Sequence, residues 1–148
     1  MIYNYKFHKF IFYFLTFTWG ILLTLAGLIV AGILLLAGKK PEKYGWCYYF
    51  EVGDDSWGGL ELGFIFLVNK KPITGTLNHE FGHAIQNCIL GPLMPFVICI
   101  PSAIRYWYRE FRYWRKNIFP PTDYDAIWFE GEATKVGKMA IDYITSKY

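Results

Sequence analysis

Charge is missing from Phe10 to Gly38, where no aspartate, glutamate, lysine or arginine occurs. A run that long exceeds the roughly 20 apolar residues that cross a bilayer core as a helix. It also exceeds the roughly 7–15-residue apolar region of a cleaved leader. Leu36-Ala37-Gly38-Lys39-Lys40 makes a poor small-x-small cleavage site. Residues 1–40 therefore read as an uncleaved N-terminal transmembrane helix, and the protein as a membrane protein. Glycine is common in membrane helices, but Gly20, Gly27 and Gly32 also leave room for a helical hairpin. Cysteine is scarce: Cys47, Cys88 and Cys99 make an odd count with no C-x-x-C spacing. The odd count argues against a disulfide framework, and thiols packed as small hydrophobes are the default reading. The net charge of +3 is too small to point to nucleic acid. Repeats and low-complexity linkers are absent, and the part beyond the apolar run, 41–148, allows one small domain.

The rest of the chain is unusually aromatic, at 21%. Lys39 to Lys43, with Pro41, closes the apolar run. Residues 44–58 read as a strand followed by a turn region rich in Gly and Asp. Leu60 to Val68 alternates and then turns fully apolar, as a half-buried strand does. A helix follows from about Thr76 to Leu90, stopped by Gly91-Pro92. Leu93 to Ile104 is apolar but broken by Pro95 and Pro101, so it packs beside the anchor or dips into the interface. In residues 105–116 basic and aromatic side chains interleave. Such a run can stack on single-stranded nucleic acid. Beside a membrane anchor it fits the headgroup interface better, which makes the bilayer the expected partner and nucleic acid an unlikely one. Thr122 and Asp125 have capping-box spacing for a last helix reaching about Thr145.

Histidine is also scarce: two of the three fall in His79-Glu80-Phe81-Gly82-His83. Residues i and i+4 share a helix face, so both imidazoles can reach one metal. Glu80 stands beside that metal without binding it, placed to take a proton from an attacking water. Zinc is the cofactor this pattern implies. Gly82 would let another backbone or a substrate approach closely. A catalytic zinc needs a third protein ligand. The position for a third histidine in the extended motif is Ile89. The last helix offers Glu130 and Glu132. Glu130 falls on the stripe of Ala126, Ile127, Ala133, Thr134, Gly137, Ile141 and Ile144, whereas Glu132 falls on a polar face. A lone carboxylate on a buried stripe is costly unless it is paired or metal-bound, so Glu130 is the candidate.

The pattern His79-Glu80-x-x-His83, with Glu130 on a later helix followed by Ala133, resembles the gluzincin superfamily of zinc metallopeptidases. His79-Glu80-Phe81-Gly82-His83-Ala84-Ile85-Gln86 with Gly91-Pro92 also resembles small bacterial membrane proteins with a HEFGHxxQ core. The resemblance covers roughly residues 60–140. It implies a small zincin-like α+β domain with a short β-element, a HExxH helix and a C-terminal ligand helix. It also implies hydrolysis of a peptide or protein substrate and a strand, Leu60 to Val68, that guides the extended peptide. Where many members carry an acid to orient a zinc histidine, this chain has Thr134, and Tyr124 and Tyr143 are the candidates for stabilising an oxyanion. The alternative from another class is a non-catalytic membrane protein with a structural or relic zinc site. Lys and Arg lie on both sides of the apolar run, and Arg105 to Lys116 tips the site-bearing part toward the cytoplasm.

Overall fold

The computed structural model describes residues 2–54, 57–116 and 127–147. The fold is α+β: an N-terminal helix pair, a small sheet, a histidine-bearing helix and a C-terminal helix that carries a distal glutamate. The uncharged run forms two helices, α1 (Ile2–Phe17) and α2 (Ile21–Leu36), meeting at 85°. This differs from one continuous membrane helix, and buried polar groups show why. Thr24 donates its hydroxyl to the Thr16 carbonyl at 2.8 Å and the Gly20 carbonyl at 2.9 Å. Asn87 donates to the same Gly20 carbonyl at 3.3 Å. Carbonyls at the break thus find partners without continuing the helix. Gly20 marks this break. Gly27 instead lies against the Leu62 carbonyl, and nothing lies near Gly32.

Four strands follow: β1 (Glu42–Tyr44), β2 (Cys47–Glu51), β3 (Gly59–Leu62) and β4 (Ile65–Val68). Their spatial order is β1-β2-β4-β3, with β2 and β4 parallel and the outer pairs antiparallel. The run from Leu60 to Val68 is therefore a hairpin and not one strand. Leu62 pairs with Ile65 across a two-residue turn, and Gly63 opens it at φ +77°. Glycine at the first central position is what a type II′ turn requires. β3 ends up as an edge strand beside the next helix.

That helix, α3 (Thr74–Leu90), starts slightly earlier than its periodicity predicts. Gly91 caps it at φ +53°. Pro92 opens a single 3-10 turn, Pro95 a single π turn, and α4 (Ile100–Lys116) follows. Pro101 sits in the first turn of α4, where its missing N–H costs nothing. The last helix, α5 (Trp128–Thr145), ends where expected. The capping pair Thr122 and Asp125 lies outside the described residues.

The main core joins Phe12 of α1, Trp46 and Tyr49, Phe66 and Val68 of β4, and Leu77, Phe81 and Ala84 of α3. A second cluster joins Met94 and Ile98 to Phe129 of α5. α3 and α5 meet backbone to backbone. A Cβ on Gly82 would overlap the Ala133 carbonyl, and one on Gly137 would overlap the Asn78 carbonyl. The bare backbone at Gly82 admits α5, so the two helices come closer than ordinary side chains permit.

Candidate metal centre

This close contact sets the site. The buried face of α5 carries Phe129, Glu130, Ala133, Gly137 and Ile144, so Glu130 points at α3 and Glu132 stays exposed. His79 Nε2 and His83 Nε2 lie 3.0 Å apart. Glu130 Oε2 is 3.0 Å from the first and 3.2 Å from the second. His79, His83 and Glu130 form a metal-binding-like triad.

The hydrogen atoms around it can be assigned from their partners. His83 Nδ1 is 2.8 Å from Gln86 Oε1. The Gln86 amide nitrogen donates to the Phe129 carbonyl at 2.9 Å and to Glu132 Oε2 at 3.2 Å. Both of those groups only accept, so the amide orientation is fixed and its oxygen faces His83. The His83 proton is then on Nδ1, which leaves a lone pair on Nε2. Thr134 commits its hydroxyl hydrogen to the Glu130 backbone carbonyl at 3.3 Å. Its oxygen lies 2.8 Å from His79 Nδ1; in the tautomer in which Nδ1–H donates to it, His79 Nε2 also bears a lone pair. Two bare imidazole nitrogens and a carboxylate oxygen converge within 3.2 Å. Such a cluster repels itself unless a cation sits among its atoms.

A proton can be that cation. Burial alone would lower the His83 imidazole, but the Glu130 contact and the charges of Glu80 and Glu61 raise it to about 9. Burial would raise the Glu130 carboxyl, yet contacts from His79, His83 and Ser102 hold it well below the usual range. The donor set fits a metal as well. Ligand atoms 3.0–3.2 Å apart can all lie at the roughly 2.0–2.2 Å that zinc requires from nitrogen and oxygen. Glu130 Oε1 is buried with no hydrogen-bond partner among the described residues, so a second oxygen is also available to an ion.

A cavity of about 790 Å³ opens onto the triad. β3 forms one wall, α3 the floor, and Met94, Ser102, Tyr106 and Trp107 the far side. Glu80 is 4% exposed and lines this space without belonging to the triad. A Cβ on Gly59 would clash with Glu80 Oε1 at 2.5 Å, so β3 passes directly over the carboxylate. Burial raises the Glu80 carboxyl, with Glu130 adding to it and both histidines opposing.

The residues expected from sequence are thus distributed plainly. His79, His83, Glu80, Glu130 and Thr134 come together. Tyr143 lies three turns beyond Glu130 along α5, its hydroxyl 3.1 Å from His8. Tyr124 lies outside the described residues. Among the described residues, the tyrosine that lines the cavity is Tyr106. Four contributors escaped sequence reasoning: Gln86, Ser102, Tyr106 and Glu61. Gln86 had a signal in its i+3 spacing from His83, which brings two side chains together on a helix.

No family model, curated protein or solved structure matches this chain.

Proposed function

We propose that the protein is a membrane-anchored zinc metallopeptidase of gluzincin type. The observation that carries this reading is the convergence of three possible ligand atoms, His79 Nε2, His83 Nε2 and Glu130 Oε2, beside the buried Glu80. His79, His83 and Glu130 would hold the zinc. When bound, zinc supplies Lewis acidity for a carbonyl and makes water a nucleophile near neutral pH. Glu80 takes the proton of the attacking water and passes it to the leaving amine. β3 is an edge strand, and Gly58 to Glu61 line the cavity. An extended peptide can add to that edge by main-chain hydrogen bonds, which carries it past Glu80. Tyr106, in place of Tyr143, is the tyrosine available to a developing oxyanion.

Membrane association rests on the N-terminal pair. No single described helix is long and apolar enough to cross a membrane; α1 with α2 passes that test as a bent pair. A second bent pair, 74–93 with 95–115, also passes. However, α3 is largely buried against α5 and the sheet, so we assign the span to residues 1–40. Residues 41–148 bear the site and lie toward the cytoplasm by the positive-inside bias. α4 adds an interfacial surface. Ile100, Ile104, Trp107, Phe111 and Trp114 form an exposed stripe, and Arg112 and Arg115 stack on Tyr108 and Phe111 at its side.

The second reading is a zinc staple without catalysis, favoured by the fact that the triad itself joins α3 to α5. Glu80→Gln decides between the two. A hydrolase loses at least roughly 10²-fold in turnover while keeping one zinc per chain and its melting temperature. A staple binds zinc, cleaves no peptide across a broad library, and has no turnover for Glu80→Gln to change. If Glu80→Gln empties the zinc site, the peptidase mechanism fails.

A further inference from the structure

One carboxyl group in the cavity has no part in the triad or in the proton transfer assigned to Glu80. Glu61 sits in β3, lines the cavity and is 4% exposed. Neither of its carboxylate oxygens makes a hydrogen bond of good geometry among the described residues, and the Gly63 amide offsets its burial only weakly. Among the described residues, no lysine or arginine lines the cavity. Residues 55–56 and 117–126 contain no lysine, arginine or histidine that could serve from outside the described structure. An unpaired buried carboxylate is expensive, and an aliphatic residue at this place would be cheaper. Leu60, next to it, is 47% exposed, so the strand turns its charged side chain inward and leaves its leucine out.

The location gives this carboxyl a use: a cation brought to it would favour its ionised form. Gly59 meets Glu80, and Glu61 is the next residue on the same face of β3. Two residues of strand span roughly 7 Å. The acid therefore stands about one side-chain length from the carboxylate assigned to proton transfer. The cavity that both line is mostly apolar, with Met94 and Ile73 among its walls. An apolar cavity with a carboxyl group in its wall fits an alkyl stem that ends in a cation.

We propose that Glu61 is a recognition site for a cationic group of the substrate, an ammonium or guanidinium, so that the protein selects peptides with positive charge next to the cleaved bond. The peptide part of this statement rests on the peptidase reading; the cation site does not need it. The charge has two possible sources, a basic side chain or a free N-terminal amine.

Three amides distinguish them: acetyl-lysine amide (cationic side chain), norleucine amide (cationic α-amine) and acetyl-norleucine amide (no charge). Binding to the full chain in detergent micelles is measured by calorimetry, with and without zinc. One cationic probe should bind about 10-fold or more tightly than the neutral one, the scale of one charge-assisted hydrogen bond. Which probe does so identifies the source. In Glu61→Gln the preference should vanish while the neutral probe binds as before. Glu61→Asp keeps the charge and should keep a reduced preference, which covers the case in which the glutamine variant fails to fold. Equal binding of all three probes to the wild type, or a preference that survives Glu61→Gln, overturns the proposal. Hydrolysis without cation preference would sink Glu61 recognition alone. Cation preference without hydrolysis would sink the peptidase reading alone.

Discussion

Where α3 meets α5 the side chains are small and the polar groups are buried. Where α1, α2 and α4 face outward the side chains are large and apolar, with Phe10, Ile29, Ile33, Trp107 and Trp114 among the most exposed. The first region gains specificity from backbone proximity, because the triad closes only where α5 brings Glu130 to the two histidines of α3. The second gains its character from composition, and a single change in it alters little. Chemistry therefore belongs to the contact and location to the outer faces. Substitutions in the two regions should differ in size and kind.

The largest effects should come from the triad. His83→Ala removes a ligand and should abolish metal binding and turnover together. Glu130→Gln should weaken zinc binding far more than Glu132→Gln, measured as zinc retained after dialysis against a chelator. Glu132 still matters, because it orients Gln86 and through it His83. Gln86→Leu and Thr134→Val each remove the partner of a histidine Nδ1–H. About 10- to 100-fold in metal affinity is the usual cost of losing such a partner. If Glu132→Gln strips the metal and Glu130→Gln does not, the ligand assignment is wrong.

Next come the glycines, where the comparison is sharpest. Gly137→Ala places a methyl group into the Asn78 carbonyl. Backbone cannot give way as a side-chain tip can. Overpacking typically costs about 1–3 kcal/mol, and here it should also reduce zinc affinity by pushing α5 away. Gly32→Ala in α2 has open space around its added methyl and should stabilise by up to about 1 kcal/mol through helix propensity. Opposite signs in thermal denaturation would support the division between contact and outer face; equal signs would break it.

The outer faces should respond in partition, with little change in stability. The full chain should stay with membranes through alkaline carbonate washing. Recovery of the intact chain in the soluble fraction would overturn the span assigned to residues 1–40. A joint Trp107→Ser and Trp114→Ser change should weaken association of α4 with anionic vesicles while leaving zinc content intact.

These two regions were also legible to different degrees. The i, i+4 histidines and the phase of Glu130 are local helix geometry, so sequence suffices for them. Gly82 signals a close approach, and the partner proved to be the backbone of α5. The bend at Gly20 is not visible in hydropathy, because it depends on Asn87 and Thr24 reaching the freed carbonyls. The hairpin at Gly63 was hidden inside an apolar run for a similar reason: one glycine at φ +77° outweighs eight residues of strand propensity. Glu61 was missed because alternation in Leu60-Glu61-Leu62 assigns the leucines inward. The structure inverts that: β3 buries Glu61 in the cavity wall and leaves Leu60 half-exposed.

The smallest expected effect is a pH dependence, and it tests Glu61 without any ligand. Burial, aided by Glu80 and opposed by His83 and the Gly63 amide, raises its carboxyl to about 8. In the unfolded chain it titrates near 4.5. Between those values the folded state holds a proton that the unfolded state has lost. Stability must then fall as pH rises across that window, because unfolding releases protons. Below the unfolded value both states are protonated and this contribution is fully present; above about 8 it is gone. His83 and Glu80 titrate in both wild type and Glu61→Gln, so the difference between the two reports residue 61 together with its coupling to them. In the metal-free protein, the melting temperature of Glu61→Gln minus that of wild type should therefore grow from pH 5 to pH 8 and then level off. A flat difference would mean that Glu61 finds a partner in solution. It would then be a satisfied core residue, and the cavity's inner wall would join the α3–α5 contact as structure.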